Sequence, residues 1–498
     1  MKLQLIGHDE KYAVEQCLLT LFPQERPFYG SVDPAADSRW AIITLRENAQ
    51  RVTVTTELGV DGKMLPYSYG YPLSGSDYER EGQRRHAIGM SFFLAARELL
   101  GITPAWGSLT GVRPSKVAAH YLRQYLLSEK DPSDAQLLTK KTLEDQFYVT
   151  AERARLAVDA AYAGICAENA LQPNDISLYV GIPFCPTRCA YCSFVAQSVE
   201  KSFALIDPYL DALCEEIEQA SKMVHACGLR IKSFYMGGGT PTTLSAAQMD
   251  RLLGKLEQCF DFTALAELTI EAGRPDTIDL EKLTVLKRHG TTRLSVNPQT
   301  MEDHVLCAIG RRHSADDIRR AMDDVMTVGF PHINMDLIAG LPEDTPDGFA
   351  RSLDEVLQLG ADNVTIHTLS LKKGSRIMLE ARRIPSADEV GVMLDYANPT
   401  LRSHGLIPYY LYRQKYMSGS FENVGWTVPG GEGLYNIYIM EELHSILSLG
   451  AGGSTKMVRP GQIRRVFNAK YPKEYIELKD KRESNLAAFA QFYQEQEP

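Results

Sequence analysis

Long hydrophobic runs are absent from this sequence. The two most apolar stretches, Phe92 to Leu100 and Ala157 to Ile165, are broken by charged residues and are far shorter than the ~20 residues that cross a bilayer as a helix. The start of the chain lacks the basic segment, apolar run and small-residue cleavage site that together form a signal peptide. We therefore expect no membrane span and a cytoplasmic location.

An excess of basic residues is also missing. The 498 residues include 53 Lys and Arg against 63 Asp and Glu, which gives a formal net charge of -10. Nucleic acids and anionic membranes are bound by basic surfaces, so this balance argues against a general role in binding either of them. With 44% hydrophobic and 23% charged residues, the composition is that of an ordinary globular protein.

Disulfide bonds are not expected, because nine cysteines are an odd number in a long chain without an export signal. Three of the nine, Cys185, Cys189 and Cys192, have the spacing C-x3-C-x2-C. Three thiolates on one compact loop suit an iron–sulfur cluster, whose fourth iron would stay open to the amino and carboxylate groups of S-adenosylmethionine. Zinc and unrelated reduced thiols are the alternatives, but a structural zinc site needs a fourth Cys or His, and the loop has no further one.

The middle of the chain alternates short β-branched or aromatic runs with longer segments of helical apolar spacing, which indicates parallel strands joined by helices. Six such units are too few for a closed eight-stranded barrel, so we predict an α/β fold with a partial (βα)6 TIM-like barrel. The predicted strands are Ser177 to Ile182, Lys232 to Met236, Glu267 to Glu271, Thr292 to Val296, His332 to Ile338 and Asn363 to Leu369. The predicted helices are Pro208 to Ala226, Ser245 to Cys259, Asp279 to His289, Ala315 to Val328 and Pro346 to Leu359.

Two further regions flank the predicted barrel, which we place at residues 171–375. Residues 1–170 are predicted to form an α+β domain, and residues 376–498 a C-terminal extension that covers the substrate. The elements predicted in the first region are a βα start (Lys2 to Leu21) and a hairpin (Trp40 to Leu45 with Arg51 to Glu57).

Residues at the carboxyl ends of the predicted strands are candidates for ligand binding, because ligands collect at that edge of such sheets. The run Gly237 to Gly239, followed by Thr240, would let a ligand meet backbone N–H and C=O groups. Glu271, which closes the third strand, could accept hydrogen bonds from a ribose diol. The alternative for Glu271 is a solvated strand end.

Three more polar residues are candidates for the same site, and two of them, Gln299 and Asp336, lie at depths comparable to that of Glu271 in the predicted barrel. Gln299 and Asp336 could contact adenine or ribose, and the guanidinium of Arg311 could donate two parallel hydrogen bonds to a carboxylate. The alternative for Asp336 is a core carboxylate with its own partners, and for Arg311 a solvated cluster at a helix start.

The cysteine loop, with Tyr191 before the third cysteine, and the glycine run one unit later resemble the radical S-adenosylmethionine (radical SAM) superfamily. A wider set of segments is similar to the oxygen-independent coproporphyrinogen III oxidase (dehydrogenase) family, and two flanking stretches resemble its HemZ-like branch. The wider set is Tyr179 to Cys185, Gln299 to Met301, Gly310 to His313 and Met335 to Pro342, and the flanking stretches are Trp106 to Pro114 and Glu432 to Asn436.

This resemblance implies a [4Fe–4S] cluster held by the three cysteines, with an exchangeable S-adenosylmethionine on the fourth iron. The implied reaction belongs to haem biosynthesis: oxygen-independent decarboxylation of coproporphyrinogen III to protoporphyrinogen IX. The implied partners are the porphyrinogen substrate and an electron donor such as a flavodoxin or ferredoxin. The residues that would surround S-adenosylmethionine are Tyr179, Tyr191, Gly238, Gly239, Thr240, Glu271, Gln299, Arg311 and Asp336.

Two departures from the family pattern leave the function open. The oxidases carry a further cysteine two places after the cluster motif, where this chain has Phe194, which leaves open whether a second S-adenosylmethionine binds. The related haem chaperones carry a His-Asn pair with Tyr-Trp in the later region, where this chain has Asn423 to Trp426 preceded by Glu422. A haem-binding or haem-delivery protein and a radical enzyme on another substrate are therefore the alternatives.

A tetra-anionic porphyrinogen would require local cations in this acidic protein. Basic residues near the predicted strand ends are candidates, and solvated surface charge is the alternative for each of them. These candidates are Arg274, Arg293, Arg312, Lys372 and Lys373.

Overall fold

The computed structural model describes residues 1–129, 131–192, 197–198, 202–370, 382–414 and 418–495. The chain divides into two compact units, residues 1–114 with 120–158 and residues 115–119 with 159–498. In the described part of the chain, no helix is long and apolar enough to cross a membrane.

The first unit is built on a five-stranded sheet. The chain up to residue 169 contains β1 (Lys2–Ile6), α1 (Lys11–Leu21), β2 (Phe28–Tyr29), β3 (Arg39–Glu47), β4 (Arg51–Val60), β5 (Lys63–Pro72), α2 (Asp77–Leu100), α3 (Pro114–Ser128), α4 (Pro132–Phe147) and α5 (Ala151–Asn169). The strand order is β2-β1-β3-β4-β5, and α2 packs its apolar face on β4 and β5. The predicted βα start and hairpin are confirmed, and β5 extends the hairpin into a meander.

The second unit contains the predicted barrel. Its elements up to residue 368 are β6 (Asp175–Ile182), β7 (Phe184–Cys185), β8 (Gln197–Ser198), α6 (Ile206–Ala226), β9 (Arg230–Gly238), α7 (Ala246–Cys259), β10 (Glu267–Gly273), α8 (Leu280–Arg288), β11 (Arg293–Gln299), α9 (Asp303–Ala308), α10 (Ala315–Val328), β12 (His332–Ala339), α11 (Pro346–Gln358) and β13 (Asn363–Thr368). The strands β6, β9, β10, β11, β12 and β13 pair in parallel in this order. The prediction of a partial (βα)6 barrel is confirmed.

Local sequence explains where the barrel helices begin and end. The side chains of Ser245 and Ser314 each accept a hydrogen bond from the backbone N–H three residues further on, and so cap α7 and α10. The carboxylate of Asp279 caps α8 in the same way. Gly329 ends α10 with a φ of 73°, a left-handed conformation that glycine adopts without a steric penalty.

The C-terminal region extends the barrel sheet at both edges. It contains α12 (Ala387–Ser403), β14 (Ile407–Arg413), β15 (Glu422–Thr427), α13 (Leu434–Glu441), β16 (Ile446–Leu449), β17 (Ser454–Arg459), β18 (Gln462–Phe467), α14 (Pro472–Glu477) and α15 (Lys479–Gln494). Strand β15 is antiparallel to β13, and β16 is parallel to β6. The sheet has the order β14-β15-β13-β12-β11-β10-β9-β6-β16-β17-β18, eleven strands among the described residues.

Helix α13 is held against the barrel strands by its amino end. The carboxylate of Glu267, at the start of β10, accepts hydrogen bonds from the backbone N–H groups of Leu434 (2.5 Å) and Tyr435 (3.3 Å). An acidic group at a helix amino end satisfies unpaired N–H groups and interacts favourably with the helix dipole. The ring of Tyr435 stacks on that of Tyr235 in β9, with centroids 4.5 Å apart.

Candidate functional site

The three clustered cysteines lie on the loop that leaves β6, at the carboxyl edge of the sheet. Cys185 ends β7, and the turn from Cys189 to Cys192 is closed by a hydrogen bond from the Cys192 N–H to the Cys189 carbonyl (3.2 Å). The Ala190 N–H donates to the Ile309 carbonyl at 2.9 Å, which ties the loop to the end of α9. All three cysteine side chains are half-buried and line one cavity of about 560 Å³.

The donor set of this loop fits an iron–sulfur cluster. Burial raises the pKa of the Cys185 thiol to about 11, although the Thr240 hydroxyl, which donates to its sulfur at 3.5 Å, acts to lower it. A thiol in this position therefore needs a bound cation to become a thiolate near neutral pH. Among the described residues, no group of three or more Cys, His, Asp and Glu side chains is arranged to hold a single metal ion. In a cubane cluster, by contrast, each thiolate binds a different iron.

The glycine run at the end of β9 is required by close backbone approach. The Gly239 N–H donates to the Ile182 carbonyl at 2.8 Å, and the Thr240 N–H donates to the Phe184 carbonyl at 2.7 Å. A Cβ atom on Gly239 would lie 2.4 Å from the Phe184 carbonyl oxygen, which is closer than non-bonded carbon and oxygen atoms approach each other. Gly238 has a φ of 110°, which other residues rarely adopt. Backbone therefore forms this part of the cavity wall.

Replacing Gly239 by alanine is expected to displace this wall, because the new methyl group would collide with backbone atoms that cannot rotate away. We expect iron binding by the cysteine loop to fall at least severalfold, and the protein to stay folded. The measurement is iron content after reconstitution. Gly254→Ala in α7 is the matched control, since the nearest atom to a Cβ there is 4.0 Å away. Equal iron content in the two variants would contradict the role given to Gly239.

Two carboxylates face the cavity from neighbouring parts of the sheet. The Tyr235 hydroxyl donates to Oε1 of Glu271, and the amide of Asn334 donates to Oδ1 of Asp336 at 2.8 Å. Burial raises the pKa of Glu271 to about 7; Tyr235 acts to lower it, and the charge of Asp336 adds to the increase. Burial also acts to raise the pKa of Asp336, but His367, 3.6 Å away, and Asn334 bring it below its usual value. At neutral pH, Asp336 is therefore ionised, whereas Glu271 is present both as the protonated carboxyl and as the carboxylate.

Arg311 offers a buried cation to the same cavity. Its Nη1 donates to the Asn297 carbonyl, and its Nη2 lies 3.3 Å from the Tyr191 hydroxyl. Its Nε is buried and has no hydrogen-bond partner in the part of the chain that the structure describes. Gln299, at the end of β11, is buried with a φ of 72°, so the backbone turns out of the sheet there. A ligand acceptor in the cavity would satisfy the unpaired N–H of Arg311.

The structure brings eleven of the twelve predicted site residues, all of which lie in its described ranges, to this one cavity. The exception is Tyr179, which is absent from the cavity lining. Its ring is stacked beside Tyr235 and Tyr435 with centroid distances of 6.2 Å to each, so it lies next to residues that face or support the cavity. The eleven lining residues are Cys185, Cys189, Tyr191, Cys192, Gly238, Gly239, Thr240, Glu271, Gln299, Arg311 and Asp336.

Sequence reasoning missed the part of the lining that comes from β13 and the C-terminal region. Aromatic and polar side chains from β13 to β15, together with two residues of α13, also line the cavity. The tyrosine-rich run from Ile407 to Arg413 is a strand signal that could have located part of this wall. The missed residues are His367, Tyr410, Tyr412, Gln414, Asn423, Asn436 and Met440.

The proposed substrate cations need correction. Arg293 lies at the amino end of β11, buried 4.0 Å from Glu267 and donating to the Gly431 carbonyl at 2.6 Å, so it is at the wrong edge of the sheet. Arg312 is exposed and does not line the cavity. Arg274 does line it, but its guanidinium donates to protein groups. Lys372, Lys373 and Phe194 lie outside the described residues.

Comparison with known proteins agrees with this geometry. Residues 179–356 match the Radical SAM superfamily. The chain is 33% identical over 483 residues to the oxygen-independent coproporphyrinogen-III oxidase-like protein HemZ of Bacillus subtilis, covering 96% of this chain and 95% of that protein. It is 31% identical over 238 residues to the heme chaperone HemW of Bacillus subtilis, covering 47% and 62%.

A solved structure extends the comparison to the fold. Coproporphyrinogen III oxidase (HemN) from Escherichia coli, a radical SAM enzyme, superposes with a TM-score of 0.51 at 26% identity, covering 64% of this chain and 72% of that one. The chain belongs to the radical SAM superfamily and, within it, to the family of the HemZ oxygen-independent coproporphyrinogen-III oxidase-like protein.

Proposed function

We propose that this chain binds a [4Fe–4S] cluster through Cys185, Cys189 and Cys192, binds S-adenosylmethionine beside it, and decarboxylates coproporphyrinogen III oxidatively. The observation that carries the proposal is the meeting of the cysteine loop with strand-end polar groups in one cavity. When bound and reduced, the cluster supplies the electron that cleaves S-adenosylmethionine to methionine and a 5'-deoxyadenosyl radical.

Different residues of the cavity suit different parts of S-adenosylmethionine. Arg311, with its unpaired Nε, suits the methionine carboxylate, and the backbone of Gly238 and Gly239 suits the polar groups at that end. Glu271 suits the ribose diol, while Gln299 and Asp336 suit adenine or ribose. Tyr191 hydrogen bonds to Arg311 and so orients it.

The affinity for S-adenosylmethionine is expected to rise with pH in the wild-type protein. The pKa of Glu271 is raised to about 7, so its carboxyl group is mostly protonated below that pH. The cationic ligand favours the ionised carboxylate, which means that binding at low pH must first remove the proton.

We expect the dissociation constant to fall severalfold from pH 6 to pH 8, measured by anaerobic calorimetry. The Glu271→Gln variant is the control, because it keeps the shape of the side chain and removes its titration. A pH dependence of the same size in that variant would assign the effect to another group, such as the amino group of the ligand.

The reaction balances as a two-electron oxidation of each of the two propionates that become vinyl groups. One hydrogen atom leaves the propionate for the 5'-deoxyadenosyl radical, the carboxylate leaves as carbon dioxide, and the remaining electron passes to an external acceptor as the vinyl group forms. The wall of Tyr410, Tyr412, Gln414 and Asn423 combines aromatic faces with amide groups, which suits a flat tetrapyrrole with polar side chains. We assign substrate covering to residues 376–498 and electron donation to a flavodoxin or ferredoxin.

A second candidate function, haem binding and delivery, is favoured by the similarity to the heme chaperone HemW over 47% of the chain. Both functions would use the same cluster loop. The two candidates differ in what happens to the tetrapyrrole: the oxidase changes its propionates, whereas a delivery protein binds haem and releases it unchanged.

Anaerobic incubation of the reconstituted protein with dithionite, S-adenosylmethionine and coproporphyrinogen III tests the proposal. We expect 5'-deoxyadenosine and protoporphyrin products together, both detected by mass spectrometry. Cleavage of S-adenosylmethionine without a porphyrin product would contradict the assignment of coproporphyrinogen III as the substrate and favour a different substrate. Stoichiometric haem binding with neither product, in protein loaded with cluster, would favour the delivery function.

A further inference from the structure

The first half of the cysteine loop is held by a buried arginine that no part of the proposed reaction uses. Nη1 of Arg274 donates to the Thr187 hydroxyl at 2.7 Å and to the Thr187 carbonyl at 3.3 Å. Thr187 stands between Cys185 and Cys189 in the loop. The second half of the loop has a separate anchor, the hydrogen bond from Ala190 to the end of α9.

The backbone of β10 delivers this arginine to the loop. The pairing of β10 with β11 shifts by one residue between Glu271 and Gly273, and Gly273 then turns the chain with a φ of 65°. The next residue, Arg274, thereby points along the cavity wall with a side chain only 4% exposed. The bulge between Glu271 and Gly273, at the end of β10, thus also places a cation beside the cysteines.

A carboxylate on the far side keeps the guanidinium in place. Nε and Nη2 of Arg274 donate to the two oxygens of Asp276, each at 3.0 Å, in the bidentate geometry that orients a guanidinium most strictly. His313 lies behind this pair, with Nδ1 3.6 Å from Oδ1 of Asp276. The ion pair therefore has a fixed direction, with its positive end toward the cysteine loop and its negative end away from it.

We propose that Arg274 is a positioning residue of the cysteine loop and that the oriented Arg274–Asp276 pair raises the reduction potential of the cluster bound there. Reduction adds one negative charge to the cluster, and a nearby positive charge stabilises the reduced form more than the oxidised form. The effect is strong because the guanidinium, with only 4% of the Arg274 side chain exposed, is largely excluded from water. The inference rests on the proposed cluster at the three cysteines.

The two members of the pair have opposite effects on the potential. The Arg274→Met variant removes the positive end and leaves the carboxylate, so the cluster becomes harder to reduce. The Asp276→Asn variant leaves the guanidinium without its neutralising partner, so the cluster becomes easier to reduce. A role limited to folding would lower cluster content in both variants without opposite shifts of the potential.

Redox titration followed by electron paramagnetic resonance (EPR) measures these shifts in protein loaded with cluster. We expect a potential below wild type for Arg274→Met, above wild type for Asp276→Asn, and close to wild type for Arg274→Lys, which keeps the charge. Arg288→Met is the control, because Arg288 is exposed at the end of α8 and pairs with Asp250. Unchanged potentials in both test variants, or shifts in the same direction, would overturn the proposal.

The positioning role has a readout that does not need the cluster. In cluster-free protein, removing the Arg274 contact is expected to speed alkylation of Cys185 and Cys189 severalfold, measured by peptide mass spectrometry with Cys214 as the internal reference. Thr187→Val, which removes only the hydroxyl acceptor, is expected to give a smaller increase. Wild-type rates in Arg274→Met would contradict the positioning role. A wild-type protein that binds no iron would instead contradict the proposed cluster, whatever the alkylation rates are.

Discussion

The Cys189→Ala variant is expected to bind no [4Fe–4S] cluster and to produce no 5'-deoxyadenosine from S-adenosylmethionine. A cluster with three protein thiolates loses a third of its protein ligands in this variant, and the loop has no further Cys, His, Asp or Glu to replace the lost one. The side chain is half-buried and the turn around it is held by backbone groups, so the protein should stay folded. Iron and sulfide content and visible absorbance measure the loss.

Two matched variants separate loss of a ligand from loss of a cysteine. Cys214→Ala in α6 and Cys259→Ala in α7 remove cysteines that do not line the cavity, and both should keep the iron content and the cleavage activity of the wild type. An intact cluster absorbance in Cys189→Ala would refute the ligand assignment.

Replacement of Glu271 should weaken the binding of S-adenosylmethionine without loss of iron. The carboxylate is half-buried in the cavity, is not one of the proposed cluster ligands, and accepts hydrogen bonds from the Tyr235 hydroxyl and the Gly238 backbone. A hydrogen bond to a charged group contributes about 1.5–3 kcal/mol, so Glu271→Ala should raise the dissociation constant by about tenfold to a hundredfold. Equilibrium binding measured without oxygen gives this constant.

The iron content of Glu271→Ala shows whether weaker binding of S-adenosylmethionine comes from the lost carboxylate or from damage to the cluster site. The control, Glu281→Ala, removes a carboxylate on the exposed face of α8, and should leave both affinity and iron unchanged. Unchanged affinity in Glu271→Ala would refute the ribose role of this residue. Weak binding accompanied by loss of iron would contradict it as well, because the effect would then come from damage to the cluster site.

The barrel was predictable from sequence because each of its units carries its own local signal. Short buried strands such as His332–Ala339 are followed by helices with a capping side chain, and the predicted strand ends lie within three residues of those observed. Residues at the carboxyl ends of parallel strands meet at one edge whatever the loops do. The position of Glu271, Gln299 and Asp336 around one cavity followed from this rule.

The remainder depends on contacts between distant segments, which leave no periodic signal. Strands β14 to β18 join the sheet edges through pairings with β13 and β6. The local sequence does not indicate which strands pair with each other. Arg293 was expected near a ligand, but it opens its strand and lies at the opposite edge. The contact of Arg274 with Thr187 joins residues 87 positions apart and depends on a bulge that the sequence alone does not reveal.

The proposed function requires that one cavity hold both the cluster and S-adenosylmethionine, in contact with each other. EPR of the reduced cluster, recorded with and without S-adenosylmethionine, tests it most directly, because a ligand on the open iron changes the spectrum. We predict a changed spectrum in the wild type, and in Glu271→Ala a change that needs a higher concentration of S-adenosylmethionine. An identical spectrum at saturating S-adenosylmethionine, in wild-type protein with a full complement of iron, would contradict the account.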